Sequence, residues 1–230
     1  MNGFSKEFIN DCVEWDVCNW SRAINFWRSC DISIGGGTHV LDIGARGGGL
    51  SLLFASLGAF VECSDLISPA DTAGVLHRKY GVDSQVTYRT LDALSLSEVN
   101  KYDIICLKSV LGGIGHNDNA AAQAQAIHNF YCALKPGGYL LIAENLTATR
   151  LHMFLRKRFN PWSNYWRYVT IEEMLEFCAE FSQVSTNCFG FLGAFGRTEC
   201  QRMIFGQLDK AFDCFLPKSW HYIISVVALK

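Results

Sequence analysis

The sequence predicts an α/β domain built on a mostly parallel β-sheet with helices on both faces. Three observations support this fold class. Short apolar runs alternate with helical patterns along most of the 230 residues, as expected for βαβ units. Several apolar runs are continuous, which is typical of strands that are buried on both faces. The first run leads directly into a glycine-rich turn and a helical pattern.

The elements can be assigned in order along the chain. Residues 4–30 are predicted to be helical and are rich in aromatic side chains, and Gly35, Gly36 and Gly37 separate them from the first strand. The predicted strands are 40–43, 60–63, 86–90, 104–107, 139–143, 183–189 and 221–229. The predicted helices lie near 48–57, 70–80, 95–100, 119–134, 170–181 and 197–213. Thr170, followed three residues later by Glu173, predicts a capping box at the start of one helix.

Residues 146–169 interrupt this alternation and read as an insertion. They contain several cations and no acid. The cations are Arg150, Arg156, Lys157, Arg158 and Arg167, together with His152. The aromatic residues are Phe154, Phe159, Trp162, Tyr165, Trp166 and Tyr168. Three interpretations stay open: a cap over an anionic or sugar-phosphate substrate, an interfacial helix on anionic lipid, or a helix packed on the sheet with solvated charges.

Composition favours one domain over 1–230, because half of the residues are apolar and suffice for a two-faced sheet. Within it we distinguish an N-terminal helical lid (1–34), a core (38–145), the insertion (146–169) and a C-terminal part of the sheet (170–230). The net charge of −2 gives no general attraction to nucleic acid.

The ten cysteines are scattered and form no Cys-x-x-Cys pair, which favours a reducing cytosol over a disulfide framework. Their spacing also predicts no zinc site, and we expect no metal. The N-terminal residues contain no apolar signal core, and no run approaches the ~20 apolar residues of a membrane span. The expected location is cytoplasmic.

The chemistry-bearing residues fall at the ends of successive strands. Asp42 precedes a turn of four glycines between 44 and 49, a cradle of the kind that binds nucleotides. A dinucleotide fingerprint would have glycine where Arg46 stands. Asp65 follows the second strand and Asp92 the third, while Lys108 and Ser109 end the fourth. Because the carboxyl ends of parallel strands share one edge of the sheet, we expect these groups in one crevice.

Segments 42–48, 63–66, 91–94 and 134–138 resemble the motifs of class I S-adenosylmethionine (SAM) dependent methyltransferases, and the resemblance covers about 38–145. It implies a Rossmann-like, seven-stranded, mostly parallel sheet with helices on both faces and one antiparallel strand, 221–229. It also implies SAM as the cofactor and S-adenosylhomocysteine as its product. Arg46 departs from the family pattern, in which glycine is usual at this position.

The resemblance implies roles for particular side chains. Asp42 would hold the ammonium group of the cofactor, Asp65 its ribose hydroxyls and Asp92 its adenine amino group. Glycines at 44 and 48 would let the main chain approach the amino-acid tail. The complete set of predicted cofactor-binding residues is Asp42, Gly44, Ala45, Arg46, Gly48, Asp65, Leu66, Asp92, Ala93, Lys108 and Ser109.

The methyl acceptor is less defined. Methyl transfer from a sulfonium is a direct displacement, in which the enzyme aligns the acceptor and a base removes a proton. His116 is the first candidate base and Glu144 the second. The expected reaction is O-methylation of a small-molecule or sugar-linked acceptor, with an anionic acceptor and a peripheral membrane contact left open. Alternatives are a lipid or nucleic-acid acceptor, a non-catalytic SAM-binding module, or a nicotinamide oxidoreductase, which the missing fingerprint disfavours.

Overall fold

The computed structural model describes residues 3–159, 163 and 165–230. In this part of the chain one sheet is formed by the strands β1 His39–Ile43, β2 Phe60–Asp65, β3 Val86–Thr90, β4 Tyr102–Lys108, β5 Leu134–Asn145, β6 Gln183–Phe189 and β7 Ile223–Leu229. Their order across the sheet is β3-β2-β1-β4-β5-β7-β6. Strands β1 to β5 pair in parallel, and β7 is antiparallel to both β5 and β6. The predicted mostly parallel, seven-stranded sheet with one antiparallel strand is confirmed.

Helices cover both faces of this sheet. They are α1 Lys6–Val13, α2 Val17–Arg28, α3 Gly49–Ser56, α4 Ala70–Lys79, α5 Leu111–Ile114, α6 Ala120–Ala133, α7 Arg150–Phe159, α8 Ile171–Phe177 and α9 Glu199–Phe212. Helices α1 to α4 contribute to the core on one face, whereas α5, α6 and α8 contribute to the core on the other. None of the helices in the described ranges has the length and hydropathy that crossing a membrane requires.

The central strands divide their side chains between the two cores. In β1, Val40 faces the core of α1 to α4 and Leu41 the opposite core, and Ile104 and Ile105 of β4 divide in the same way. Successive residues of a strand point to opposite faces, so a strand covered on both sides is apolar throughout. The cover of helices on both faces of the sheet therefore explains the continuous apolar runs of the sequence.

One helix prediction was wrong. The helix expected near 95–100 is absent: Asp92 caps a short 3-10 turn, Ala93–Ser95, and the chain then runs without regular structure to β4. The region 4–30, predicted to be helical, forms the two helices α1 and α2. The break falls at Glu14 and Asp16, whose φ angles are +70° and +43°.

The strand order places a topological switch point between β1 and β4. From β1 the chain builds outward through β2 and β3 on one side, whereas β4 and β5 lie on the other. In open α/β sheets the crevice for ligands lies at the carboxyl ends of the strands at such a point. The break between α1 and α2 lies over the same edge, because the carbonyl oxygen of Val13 accepts a hydrogen bond from the Lys108 ammonium at the end of β4.

Candidate active site

A cavity of about 980 Å³ opens at the switch point. Its walls come from the ends of β1 and β4, from the segment between α1 and α2, from α7, and from the loop that follows β6. The predicted residues that line it are Asp42, Gly44, Ala45, Arg46, Lys108 and Ser109. The structure thus brings together six of the residues that the sequence placed at strand ends or in the glycine turn.

The glycine turn depends on left-handed backbone at three positions. Gly44, Arg46 and Gly48 have φ angles of +66°, +50° and +81°. Residues other than glycine adopt this backbone conformation at a cost in free energy. This explains why glycine is usual at the position of Arg46 in the sequences that the turn resembles. A Cβ on Gly48 would lie 2.6 Å from the Ala73 Cβ, so packing against α4 also requires glycine there.

The Arg46 side chain is directed to the loop between α1 and α2. Its guanidinium lies 5.2 Å from the centre of the Trp15 ring and 3.8 Å from the Glu14 carboxylate. Its backbone N–H donates to Asp65 Oδ2 at 2.9 Å. Arg46 therefore joins the glycine turn to the segment that closes one side of the cavity.

Asp42 is buried at the floor of the site. Its Oδ2 accepts hydrogen bonds from the backbone N–H and the hydroxyl of Ser51, at 2.9 and 2.7 Å. Burial raises the pKa of the Asp42 carboxyl to about 7, against the lowering effect of the bonds from Ser51. The carboxyl thus fixes the first turn of α3 while it lines the cavity.

Five predicted cofactor residues lie beside the cavity and do not line it. They are Gly48, Asp65, Leu66, Asp92 and Ala93. Asp65 Oδ1 accepts from the Leu66 N–H, and the carbonyl oxygen of Asp65 accepts from the Leu91 N–H. The end of β2, which Asp65 closes, and the end of β3, which Asp92 follows, are thus joined at the same edge of the sheet as the end of β1.

Lys108 is buried and faces the segment between α1 and α2. Its ammonium donates to the Val13 carbonyl oxygen at 2.7 Å and lies 3.0 Å from the centre of the Trp15 ring. Burial lowers the pKa of this ammonium to about 7. Its neighbour Ser109 has a φ of +57°, and its hydroxyl accepts a hydrogen bond from the Asn145 amide at 2.8 Å.

The structure places neither predicted base at the cavity. Glu144 is buried, and its oxygens accept from the backbone N–H groups of Val110, Leu111 and Asn145, so the carboxylate holds the start of α5 against β5. His116 is exposed, in the turn that follows α5, and does not line the cavity. The short α5 carries the chain away from the end of β4 before His116 is reached.

The insertion supplies part of the opposite wall. His152, Leu155, Arg156, Phe159, Trp166 and Tyr168 line the cavity. The His152 ring is fully engaged, because its two nitrogens contact the Thr149 hydroxyl at 2.7 Å and the Phe191 carbonyl oxygen at 2.9 Å. Arg167 instead pairs with Asp118 and Glu173 outside the cavity. Trp162 lies outside the described residues.

Asp16 is a cavity residue that sequence reasoning missed. It is 3% exposed, and its carboxyl accepts a hydrogen bond from the Tyr222 hydroxyl. An aspartate directly before a helix is ordinarily interpreted as an N-cap, so its position in the sequence did not indicate a role in the cavity. In the structure its side chain makes no capping bond.

Comparisons with known proteins agree with this geometry. No protein-family model matches the chain. The ubiquinone biosynthesis O-methyltransferase of Paraburkholderia xenovorans (strain LB400) is 34% identical over 119 residues, which are 51% of this chain and 49% of that protein. The chain therefore spans about half the length of the curated relatives it matches.

Solved structures match over most of the chain. The phosphoethanolamine N-methyltransferase 2 of Haemonchus contortus, in complex with phosphomonomethylethanolamine and S-adenosylhomocysteine, has a TM-score of 0.61 at 19% identity, over 91% of this chain and 52% of that one. The [4+2]-cyclase SpnF has a TM-score of 0.60 at 16% identity, over 90% and 79%. Together with the strand order and the site at the switch point, these likenesses show that the chain has the fold of the class I SAM-dependent methyltransferases.

Proposed function

We propose that the protein is a SAM-dependent methyltransferase that methylates a hydroxyl oxygen of a small-molecule or sugar-linked acceptor. The observation that carries the proposal is the meeting of Asp42, the glycine turn and Lys108-Ser109 in one cavity at the switch point. The name of the curated relatives, which are O-methyltransferases, supports the choice of oxygen.

The residues at this edge fit the cofactor. Asp42 lines the cavity with a carboxyl suited to an ammonium group. Asp65 and Asp92 stand at the ends of β2 and β3, where they would hold the ribose and the adenine. Bound SAM would supply a methyl group carried on a sulfonium. In this proposal 1–34 act as the lid, 38–145 as the cofactor-binding core and 146–169 as the cap over the acceptor, with 170–230 completing the sheet.

The cap favours an acceptor with an anionic group. Arg156 reaches the cavity from α7, and the ion pairs among the described residues do not include it. Its guanidinium donates to the Leu146 carbonyl oxygen at 2.6 Å and lies 4.2 Å from the centre of the Tyr168 ring. Burial lowers the pKa of this guanidinium, while Tyr168, Tyr222 and the Glu144 carboxylate oppose that lowering. A carboxylate or phosphate on the acceptor would satisfy the guanidinium with paired hydrogen bonds.

Methyl incorporation from radiolabelled SAM tests this proposal. We expect transfer to 4-hydroxybenzoate and much less to its neutral amide. Arg156→Met should raise KM for the acid about tenfold, the worth of one charge-assisted hydrogen bond, and leave KM for the amide unchanged. Arg158→Met, an exposed arginine two residues along α7, is the matched control and should behave as the wild type.

Two other outcomes would contradict it. Equal effects of Arg156→Met on KM for the acid and for the amide would rule out recognition of an anionic acceptor by Arg156. If the protein binds SAM but transfers methyl to no acceptor, the proposed methyltransferase activity is ruled out.

A cytoplasmic location is part of the same proposal. It is supported by the ten cysteines, which are all free thiols, five of them buried. Free thiols persist in reducing compartments.

A further inference from the structure

Asp16 has an unusual backbone for its position. It is the residue before α2, and its φ and ψ of +43° and +50° place it in the left-handed region. The backbone N–H groups of Asp16 and Val17 donate to the Glu199 carboxylate, each at 2.8 Å. Glu199 of α9 therefore caps α2, and the Asp16 side chain is released from that role. Strained backbone that neighbouring structure holds in place is concentrated at functional sites.

The Asp16 carboxyl is buried at the cavity wall with one oxygen free. Oδ2 accepts from the Tyr222 hydroxyl, which in turn accepts from the Asn19 amide at 3.0 Å. Oδ1 is buried and has no hydrogen-bond partner among the described residues. A buried carboxyl oxygen without a donor is costly, and because Asp16 lines the cavity, a hydroxyl of a bound ligand would offset that cost by donating to it.

Titratable groups from four parts of the fold surround this carboxyl. Arg202, Glu199 and Asp209 interact with it from α9, Cys18 from α2, Tyr222 from the residue before β7, and Lys108 from β4. Burial is the largest effect and raises the pKa of Asp16 to about 7, while the Tyr222 hydroxyl and Arg202 oppose it. A carboxylate of this basicity is matched to general-base catalysis near neutral pH.

We propose that Asp16 is the general base of the reaction and that the acceptor offers it a phenol-type hydroxyl. This inference rests on the proposed function and names its proton acceptor. The aromatic side chains Trp20, Trp166 and Phe195, which line the same cavity, suit an aromatic ring.

The step balances without a further reactant. The acceptor O–H bond breaks and its proton passes to Asp16 Oδ1. The oxygen forms a bond to the methyl carbon, and the carbon–sulfur bond breaks with its electron pair left on sulfur. The products are a methyl ether, S-adenosylhomocysteine and protonated Asp16, which returns its proton to solvent.

The test compares wild type, Asp16→Asn and Asp16→Ala with 4-hydroxybenzoate and catechol as acceptors. Asp16→Asn should lower kcat about 100-fold, the usual worth of a general base, and leave the Kd for SAM within about twofold. Formate, a small carboxylate that fits the space of the deleted side chain, should restore part of the activity of Asp16→Ala and none of that of Asp16→Asn. Asp71→Asn, an exposed acid on α4, is the control and should keep wild-type activity.

A second readout does not depend on turnover. In protein labelled with ¹³C at aspartate Cγ, the carboxyls of Asp16 and Asp42 should both titrate near neutral pH, and one of these two signals should be absent from the spectrum of Asp16→Asn. The wild-type rate should rise with pH through the same range, because the base must be ionised.

The failures are distinguishable. Wild-type kcat in Asp16→Asn, or a low kcat in folded Asp16→Ala that formate leaves unchanged, would overturn the role of Asp16 alone. A wild type that binds SAM and methylates other hydroxyl compounds but neither phenol would overturn the phenol-type acceptor. A wild type that binds SAM and methylates no acceptor would overturn the proposed function, and this inference with it.

Discussion

At the scale of single residues, several side chains that line the cavity have pKa values that differ from those of the same side chains in water. Asp42 and Asp16 are buried acids whose pKa values burial raises to about 7, and Lys108 is a buried base whose pKa burial lowers to about 7. Arg46 takes a left-handed backbone that favours glycine. Perturbed groups of this kind cluster where ligands bind, because the ligand supplies the missing partners.

Asp42 makes a testable contribution to the pH dependence of stability. Its pKa is about 7 in the folded protein and has its ordinary value of 3.8 in the unfolded chain. Between these values the folded state holds a proton that the unfolded state has lost, so stability falls as pH rises from about 4 to about 7. Relative to Asp42→Asn, the free energy of unfolding of the wild type should fall by on the order of 4 kcal/mol across this range.

Urea unfolding of both proteins between about pH 4 and pH 8 measures this difference. Asp16 titrates with the same sign but is present in both proteins, so it cancels. Parallel pH profiles of the two proteins would show that Asp42 is ionised in the folded state throughout.

At the scale of the elements, the structure assigns Glu144 to the fold. Its carboxylate accepts three backbone N–H groups and ties α5 to the end of β5. Glu144→Gln replaces one accepting oxygen with a donor, which should lower the free energy of unfolding by about 2 kcal/mol. Denaturant unfolding measures it, with Glu180→Gln, an exposed acid, as a control that should stay within about 0.5 kcal/mol of the wild type. A lower kcat of Glu144→Gln with an unchanged free energy of unfolding would instead support Glu144 as the catalytic base.

The sequence predicted correctly those elements that a pattern of apolar residues or a capping motif marks. The apolar runs located the strands, and the capping box at Thr170 and Glu173 is present at the start of α8. The helix near 95–100 failed because Leu96 is the one buried residue among 96–100, too few to anchor a helical face. The break between α1 and α2 could not be located from the sequence, because Glu14 and Asp16 adopt left-handed backbone there and neither residue type predicts that conformation.

The same limit applies to the site. Asp42 and Lys108 could be placed because they end strands, and all parallel strands end at one edge of the sheet. Asp16 and Tyr222 reach the cavity through tertiary packing of α2 and the approach to β7, for which no local pattern exists, whereas the basic and aromatic composition of the insertion already indicates Arg156. His116 and Glu144 were chosen by their position along the chain, and neither lines the cavity.

At the scale of the whole molecule, one edge of the sheet concentrates the chemistry. The glycine turn, the strand-end acids and the two closing segments converge there, while the net charge of −2 gives no general attraction to nucleic acid. The likeness to a [4+2]-cyclase shows that this fold hosts more than one reaction, so the activity must be argued from the residues of the cavity.

We propose that this edge of the sheet binds SAM, and calorimetric titration measures that binding without the need for an acceptor. Wild type and Asp65→Ala should be titrated with SAM and with NAD, with Asp71→Ala as the exposed control. We expect the wild type and Asp71→Ala to bind one SAM and no NAD. Asp65→Ala should bind SAM at least about tenfold more weakly, because a charged acceptor for the ribose hydroxyls is lost. Binding of NAD, or SAM affinity unchanged by Asp65→Ala, would contradict the assignment of the site.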